Sequence, residues 1–188
     1  MKTYPRKMID IHMSKKQTDD IYDYLYKTLE RKQYDIYMFW KIILQPRLIS
    51  FFWDIWVKYT YSKTSFVWSW RDPVIYNLKE KIEHESWYAF NSVLCNLYRD
   101  WNDSMWRHSD DEKELWSDPV ILSISLWQER MFHLRNKLTK EKIKLSLSHW
   151  SCLLMWHGSQ IHWQHAIMKS KRDIQPRINL TFRNIVNK

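Results

Sequence analysis

Glycine is nearly absent from this chain. Gly158 is its one instance in 188 residues, and alanine occurs only at Ala89 and Ala166. With so little glycine, few positions adopt positive φ without strain, so tight hairpins and glycine-cornered turns are disfavoured. The same shortage excludes a glycine-rich phosphate loop, a dinucleotide-binding fingerprint and a nucleophile elbow, each of which needs several glycines for close backbone approach. Cysteine is also scarce: Cys95 and Cys152 are too few for a disulfide scaffold. No run of about 20 residues is both apolar and free of charge, so no membrane span is expected. The segment MKTYPRKMIDIHMSKKQ has no apolar h-region, which speaks against a signal peptide and for an intracellular, reduced protein. Compartment and origin stay open. Scarce Gly and Ala beside abundant Lys, Ile, Asn and Tyr fit an AT-rich coding sequence of viral or organellar type.

What is present is aromatic and basic. The chain holds 13 Trp, 11 Tyr and 7 Phe, enough to build a substantial core. Its net charge of +9 is unevenly placed. From Arg135 to Lys188 there are 11 Lys/Arg against Glu141 and Asp173, which is 11 − 2 = +9. Residues 1–134 hold 19 bases and 19 acids. A neutral body with a basic end points to an anionic partner.

The pattern along the chain reads as all-α: a compact bundle of about five to six helices, with a short hairpin as an alternative near 58–70. Residues 1–134 form the neutral helical body, and 135–188 a basic C-terminal helix and tail packed on it as one domain. Ser14 with Gln17 reads as a capping box opening a long helix that ends before Pro46. Trp70-Arg71-Asp72-Pro73-Val74-Ile75 recurs as Trp116-Ser117-Asp118-Pro119-Val120-Ile121. In both copies Asp suits the N-cap and Pro the first helical position, so both predict helix starts, at Pro73 (running to Trp101) and Pro119. A second echo links Gln45-Pro46-Arg47-Leu48 with Gln175-Pro176-Arg177-Ile178. Asp110-Asp111-Glu112 reads as solvated loop charge.

Two constellations carry chemistry. His149, Cys152, His162 and His165 form an H-x2-C-x9-H-x2-H array whose ligand types suit zinc, provided Gly158 breaks the helix and folds the second pair back. No other cofactor is implied. Basic residues interleaved with tryptophan in the last third suit phosphates and unstacked bases. The candidate nucleic-acid contacts are Lys140, Lys142, Lys144, Trp163, Lys169, Lys171, Arg172 and Arg177. The sequence therefore reads as a non-enzymatic nucleic-acid-binding protein, with RNA favoured over DNA. The alternative is a viral accessory or adaptor protein that engages a host protein, or a peripheral helical subunit of a large organellar assembly.

Overall fold

A computed structural model of the chain describes residues 6–38, 40–54, 60–61, 64–65, 72–112, 114–115 and 118–186. In chain order these form β1 (Arg6–Ile9), α1 (Lys15–Thr28), β2 (Asp35–Met38), β3 (Lys41–Leu44), β4 (Leu48–Trp53), β5 (Thr60–Tyr61), β6 (Thr64–Ser65), α2 (Pro73–Ser86), β7 (Ser92–Tyr98) and β8 (Met105–His108). There follow β9 (Ile121–Trp127), β10 (Arg130–Asn136), β11 (Lys142–Leu147), β12 (Ser151–Met155), α3 (Ser159–His162), β13 (Trp163–Ile167) and β14 (Arg177–Arg183). The all-α expectation is thus corrected: the protein is mainly β. A major sheet has the order β1-β12-β9-β14-β7-β4 and a minor sheet the order β11-β10-β13-β8. Their ladders are antiparallel, and together they make a jelly-roll-like double sheet.

The period-2 pattern explains why these segments are strands. In β14, Ile178, Leu180 and Phe182 enter the core beneath the helices, while Arg177, Asn179, Thr181 and Arg183 face the space between the sheets. On the outer side of the major sheet, Tyr22 and Leu25 of α1 and Ile75, Leu78 and Ile82 of α2 pack against Leu122, Ile124 and Leu126 of β9. A second cluster between the sheets joins Phe132, Leu134, Leu147, Trp163 and Ile167 to Ile121, Leu153 and Met155.

The glycine shortage does not prevent chain reversal, because other residues take up the left-handed conformation. Trp40, Trp127, Lys140 and Trp150 have φ of 62°, 72°, 62° and 60° at reversals between consecutive strands, and Trp87 has φ 65° at the end of α2. Each such residue costs about 1–3 kcal/mol, which neighbouring contacts must offset. Trp127 stacks on Tyr22 at 4.9 Å, and the indole N–H of Trp150 donates to the Ile11 carbonyl at 2.8 Å.

Two local readings match the structure. Ser14 and Gln17 form the reciprocal capping box of α1, and Asp72 caps α2 through the Val74 and Ile75 amides. Yet α2 stops at Ser86, and the residues expected to continue it form the fully buried strand β7. Asp118 caps no helix. Both its carboxylate oxygens accept from the Gly158 amide, at 2.7 and 2.9 Å, and Pro119 leads into β9. Residues 135–188, expected to be helix and tail, supply β11 to β14 and only the four-residue α3. Near 58–70, Thr60–Tyr61 pairs with Thr64–Ser65, and the other residues of that stretch lie outside the described residues.

Candidate metal centre

Between the sheets, β8 and β13 pair so that His108 lies opposite His165. The chain leaves β8 at His108 and places Asp110 two residues on. The loop is pinned to β13 and α3: the Ser109 hydroxyl donates to the Trp163 carbonyl at 2.9 Å, and the Asp110 amide donates to Oε1 of the buried Gln160 at 3.0 Å. The ligand atoms of His108, Asp110 and His165 all fall within 4.8 Å of one another. Two imidazoles and one carboxylate converging from one side are the facial donor set of non-haem Fe(II) sites.

The electrostatics suit a cation. Burial raises the Asp110 carboxyl, but Arg183, His165 and His108 outweigh it and hold the group far below the usual carboxylate range. The Arg183 guanidinium donates to Asp110 Oδ1 at 3.1 Å, while Asp110 Oδ2 is buried without a donor among the described residues. Burial and the neighbouring His108 push His165 down to about 3, so its imidazole is neutral, the form that coordinates metal. His108 Nδ1 lies 2.8 Å from the Trp106 carbonyl. Because a carbonyl only accepts, Nδ1 carries the proton and Nε2 keeps its lone pair for the cluster. His165 is held flat against Phe132 at 5.2 Å.

A concentration of positive charge adjoins the cluster. Arg47, Arg177 and Arg183 line the same cavity, against the single carboxylate of Asp110. Arg177 is 1% exposed. One guanidinium nitrogen donates to Ser125 Oγ at 2.8 Å, Tyr98 lies under the group at 5.2 Å, and Nε and Nη1 are buried without an acceptor among the described residues. Burial lowers its pKa to about 10, which still leaves it charged at neutral pH. An orphaned carboxylate oxygen beside two imidazoles fits a divalent metal. A buried guanidinium with two nitrogens lacking an acceptor among the described residues fits a carboxylate co-substrate. The second sequence echo also gains a meaning: Arg47 and Arg177 precede or open the strands flanking β7, and Arg47 Nε donates to Asn96 Oδ1 of β7 at 2.7 Å.

The structure scatters the zinc array read from sequence. His149 bridges the Trp127 amide and the Thr18 hydroxyl, Cys152 is a buried thiol in β12, and His162 is exposed on α3; only His165 enters the cluster. Trp163 is 7% exposed and packs between the sheets, so it offers no face to a base. Arg177 is internal rather than a surface phosphate contact. Lys140, Lys142, Lys144, Lys169, Lys171 and Arg172 are exposed. Sequence reading misses His108 and assigns Asp110 to solvated charge. The signal it offers is His-x-Asp followed by His165, 55 residues beyond Asp110.

Comparison with known proteins agrees with this geometry. Residues 8–183 match the 2OG-Fe(II) oxygenase superfamily. The chain is 40% identical over 154 residues to the Mus musculus alpha-ketoglutarate-dependent dioxygenase alkB homolog 3, covering 75% of this chain and 52% of that protein. It is 30% identical over 185 residues to the Homo sapiens DNA oxidative demethylase ALKBH2, covering 92% and 70%. The solved structure of OsALKBH1 superposes with a TM-score of 0.61 at 14% identity, covering 96% of this chain and 98% of that one, which supports the fold. The chain spans about half the length of the first curated relatives it matches. These matches overturn the expectations of a non-enzymatic binder, a viral accessory or adaptor protein, an organellar subunit, and a chain with no cofactor beyond zinc. No helix among the described residues is long and apolar enough to cross a membrane.

Proposed function

Because this chain belongs to the 2OG-Fe(II) oxygenase superfamily, we propose that it is an Fe(II)- and 2-oxoglutarate-dependent oxidative demethylase of methylated nucleic acid, with DNA as the first substrate to test. The observation that carries the reading is the His108–Asp110–His165 cluster, with Asp110 and His165 buried, beside Arg177, whose Nε and Nη1 have no acceptor among the described residues. The nucleic-acid substrate comes from the relatives, one of which is named a DNA oxidative demethylase.

His108 Nε2, Asp110 and His165 would hold the iron, and Arg177 a carboxylate of 2-oxoglutarate. When bound, the pair supplies oxidation of a substrate C–H bond by dioxygen, coupled to conversion of 2-oxoglutarate to succinate and carbon dioxide. The chain's part is positioning and charge. Arg183 keeps Asp110 ionised in a buried setting, Trp106 fixes the His108 tautomer, and Phe132 fixes the plane of His165. Met105, Phe132, Met155 and Ile167 supply an apolar part of the cavity wall, and the remaining lining is mostly polar.

The test is formaldehyde release from an N-methylated single-stranded oligodeoxynucleotide, with and without Fe(II) and 2-oxoglutarate. Release that requires both, with Asp110→Ala inactive, is the expected result. Absence of release from both methylated DNA and methylated RNA, by protein that binds one equivalent of metal, would remove the substrate assignment.

A further inference from the structure

The outward face of the minor sheet carries cations that no acid of that sheet neutralises. Its four strands, MWRH, RMFHLRN, KIKLSL and WQHAI, contain no acidic residue. Phe132, Leu134, Ile143, Leu145 and Leu147 point inward, so the alternate residues His133, Arg135, Lys142 and Lys144 point out. The register sets Arg135 directly opposite Lys142 and His133 opposite Lys144. Like charges placed directly opposite on a sheet are destabilising. His133 is held below its ordinary pKa by burial, then by Lys144 and Arg107, which puts Arg107 of β8 near the same face.

The helices are built the opposite way. Lys15 pairs with Asp19, Lys16 with Asp20, Lys79 with Glu83 and Lys81 with Glu85. A sheet face that sets cations opposite one another, exposes Lys142 and Lys144 and has no acid in its strands is organised around an external anion. Alternate residues on a strand lie about 6.8 Å apart and neighbouring strands about 4.8 Å apart. The cations therefore form a grid, which suits a polyanion better than a single phosphate.

We propose that Arg107, Arg135, Lys142 and Lys144 bind the phosphodiester backbone of a single-stranded nucleic acid outside the cavity, as a surface separate from the metal centre. The inference rests on the nucleic-acid reading of the cavity but uses none of its residues. Binding by phosphate neutralisation gives affinity without sequence preference and a steep dependence on salt.

The experiment titrates fluorescein-labelled 30-mer oligothymidylate with the full chain over a range of KCl, and in parallel measures formaldehyde release from a methylated trinucleotide. Each phosphate neutralised on a single strand contributes about 0.7 to the log–log salt slope. In R135Q/K142Q/K144Q that slope becomes shallower by about 2, for three cations removed, while trinucleotide turnover is unchanged. Lys142→Glu sets a carboxylate opposite Arg135, so it raises the melting temperature while weakening 30-mer binding, which a fold defect would not do. An unchanged slope in the triple variant overturns the surface, whatever the turnover. A shallower slope in the triple variant, with no turnover by any variant or by the wild type, retains the surface and removes the demethylase reading instead.

Discussion

Arg177 and Lys142 lie in the same basic third of the chain, and the fold places them in opposite electrical settings. Arg177 sits inside the double sheet, 1% exposed, at an inward position of β14. Lys142 stands on the outward side of β11, in solvent, across from another cation. Local sequence scarcely separates them, since both lie in alternating strands, R-I-N-L-T-F-R and K-I-K-L-S-L. What differs is which parity faces the space between the sheets. An inward cation must be matched by a buried anion or ligand, because desolvation is severe. An outward cation remains hydrated and acts over distance. The net charge of +9 thus includes cations in two settings, one buried beside the His108–Asp110–His165 cluster and one held in solvent.

The strongest way to break this contrast is to remove the buried counter-charge. Asp110→Ala removes the carboxylate that lies 3.1 Å from the buried Arg183, while Glu112 stays at 3.8 Å. It should abolish oxidation, cut bound Fe(II) or Co(II) from one equivalent to near zero, and cost about 3–5 kcal/mol of stability as a broken buried pair. Urea denaturation of the metal-free protein, beside metal analysis, checks both. Retention of full metal binding would show that Asp110 is structural only.

The pH dependence of the metal-free protein sharpens the same point. His165 is held near 3 in the fold, below its ordinary 6.5, first by burial and then by His108. Between those values the unfolded chain binds the extra proton, so stability rises with pH through that window and is lost as pH falls from about 6.5 towards 3. The limiting slope from this group is about 1.4 kcal/mol per pH unit. Asp110, depressed below its ordinary 3.8, adds loss of the same sign at lower pH. His165→Gln should flatten denaturation midpoints between about pH 4 and 6. If the wild-type midpoint is already flat there, His165 is not buried neutral.

A matched pair of substitutions compares the two cations directly. Arg177→Met should leave the apoprotein as stable as before or slightly more so, because a buried and incompletely bonded guanidinium contributes little net stability. It should weaken 2-oxoglutarate binding by about 1.5–3 kcal/mol through removal of charge-assisted bonds, roughly a ten- to hundredfold rise in the concentration required. Lys142→Met should leave that requirement untouched. Equal effects from the two would mean that Arg177 acts through overall charge rather than by contact.

What can be read from sequence is local. The capping box at Ser14 and the Asp72-Pro73 start are legible because a cap needs only residues three apart. The end of α2 is not, since Trp87 fills a left-handed position that sequence reading reserves for glycine or asparagine. The alternation in β11 and β14 is present in the residues, but scarce glycine weighs against strands and hides it. The metal centre is illegible for a topological reason. His108 and Asp110 meet His165 only through the β8–β13 pairing and the hydrogen bonds from Ser109 and Asp110, which join segments at least fifty residues apart. The neighbouring His149, Cys152 and His162 offer a denser but irrelevant pattern.

The smallest expected effect comes from the pair of sites most alike in sequence. Asp72 and Asp118 both lie in W-x-D-P-V-I, yet only Asp72 begins a helix. Its Oδ1 accepts from the Val74 and Ile75 amides at 3.0 Å, and its Oδ2 accepts from the Tyr24 hydroxyl of α1 at 3.2 Å. Asp72→Ala removes the cap and should cost about 0.5–2 kcal/mol. Hydrogen exchange should quicken in the first turn of α2. Asp118 instead holds the Gly158 amide, at the turn that leads through α3 into β13. Asp118→Ala should leave exchange in α2 unchanged and loosen Gly158 and α3, four residues of which separate that turn from the strand bearing His165. The two variants can have similar stabilities, so a melting curve alone does not tell them apart. The diagnostic difference is metal affinity, which should fall modestly in Asp118→Ala and not in Asp72→Ala. If both variants retain wild-type affinity, the Asp118–Gly158 hydrogen bonds belong to the fold and do not reach the centre.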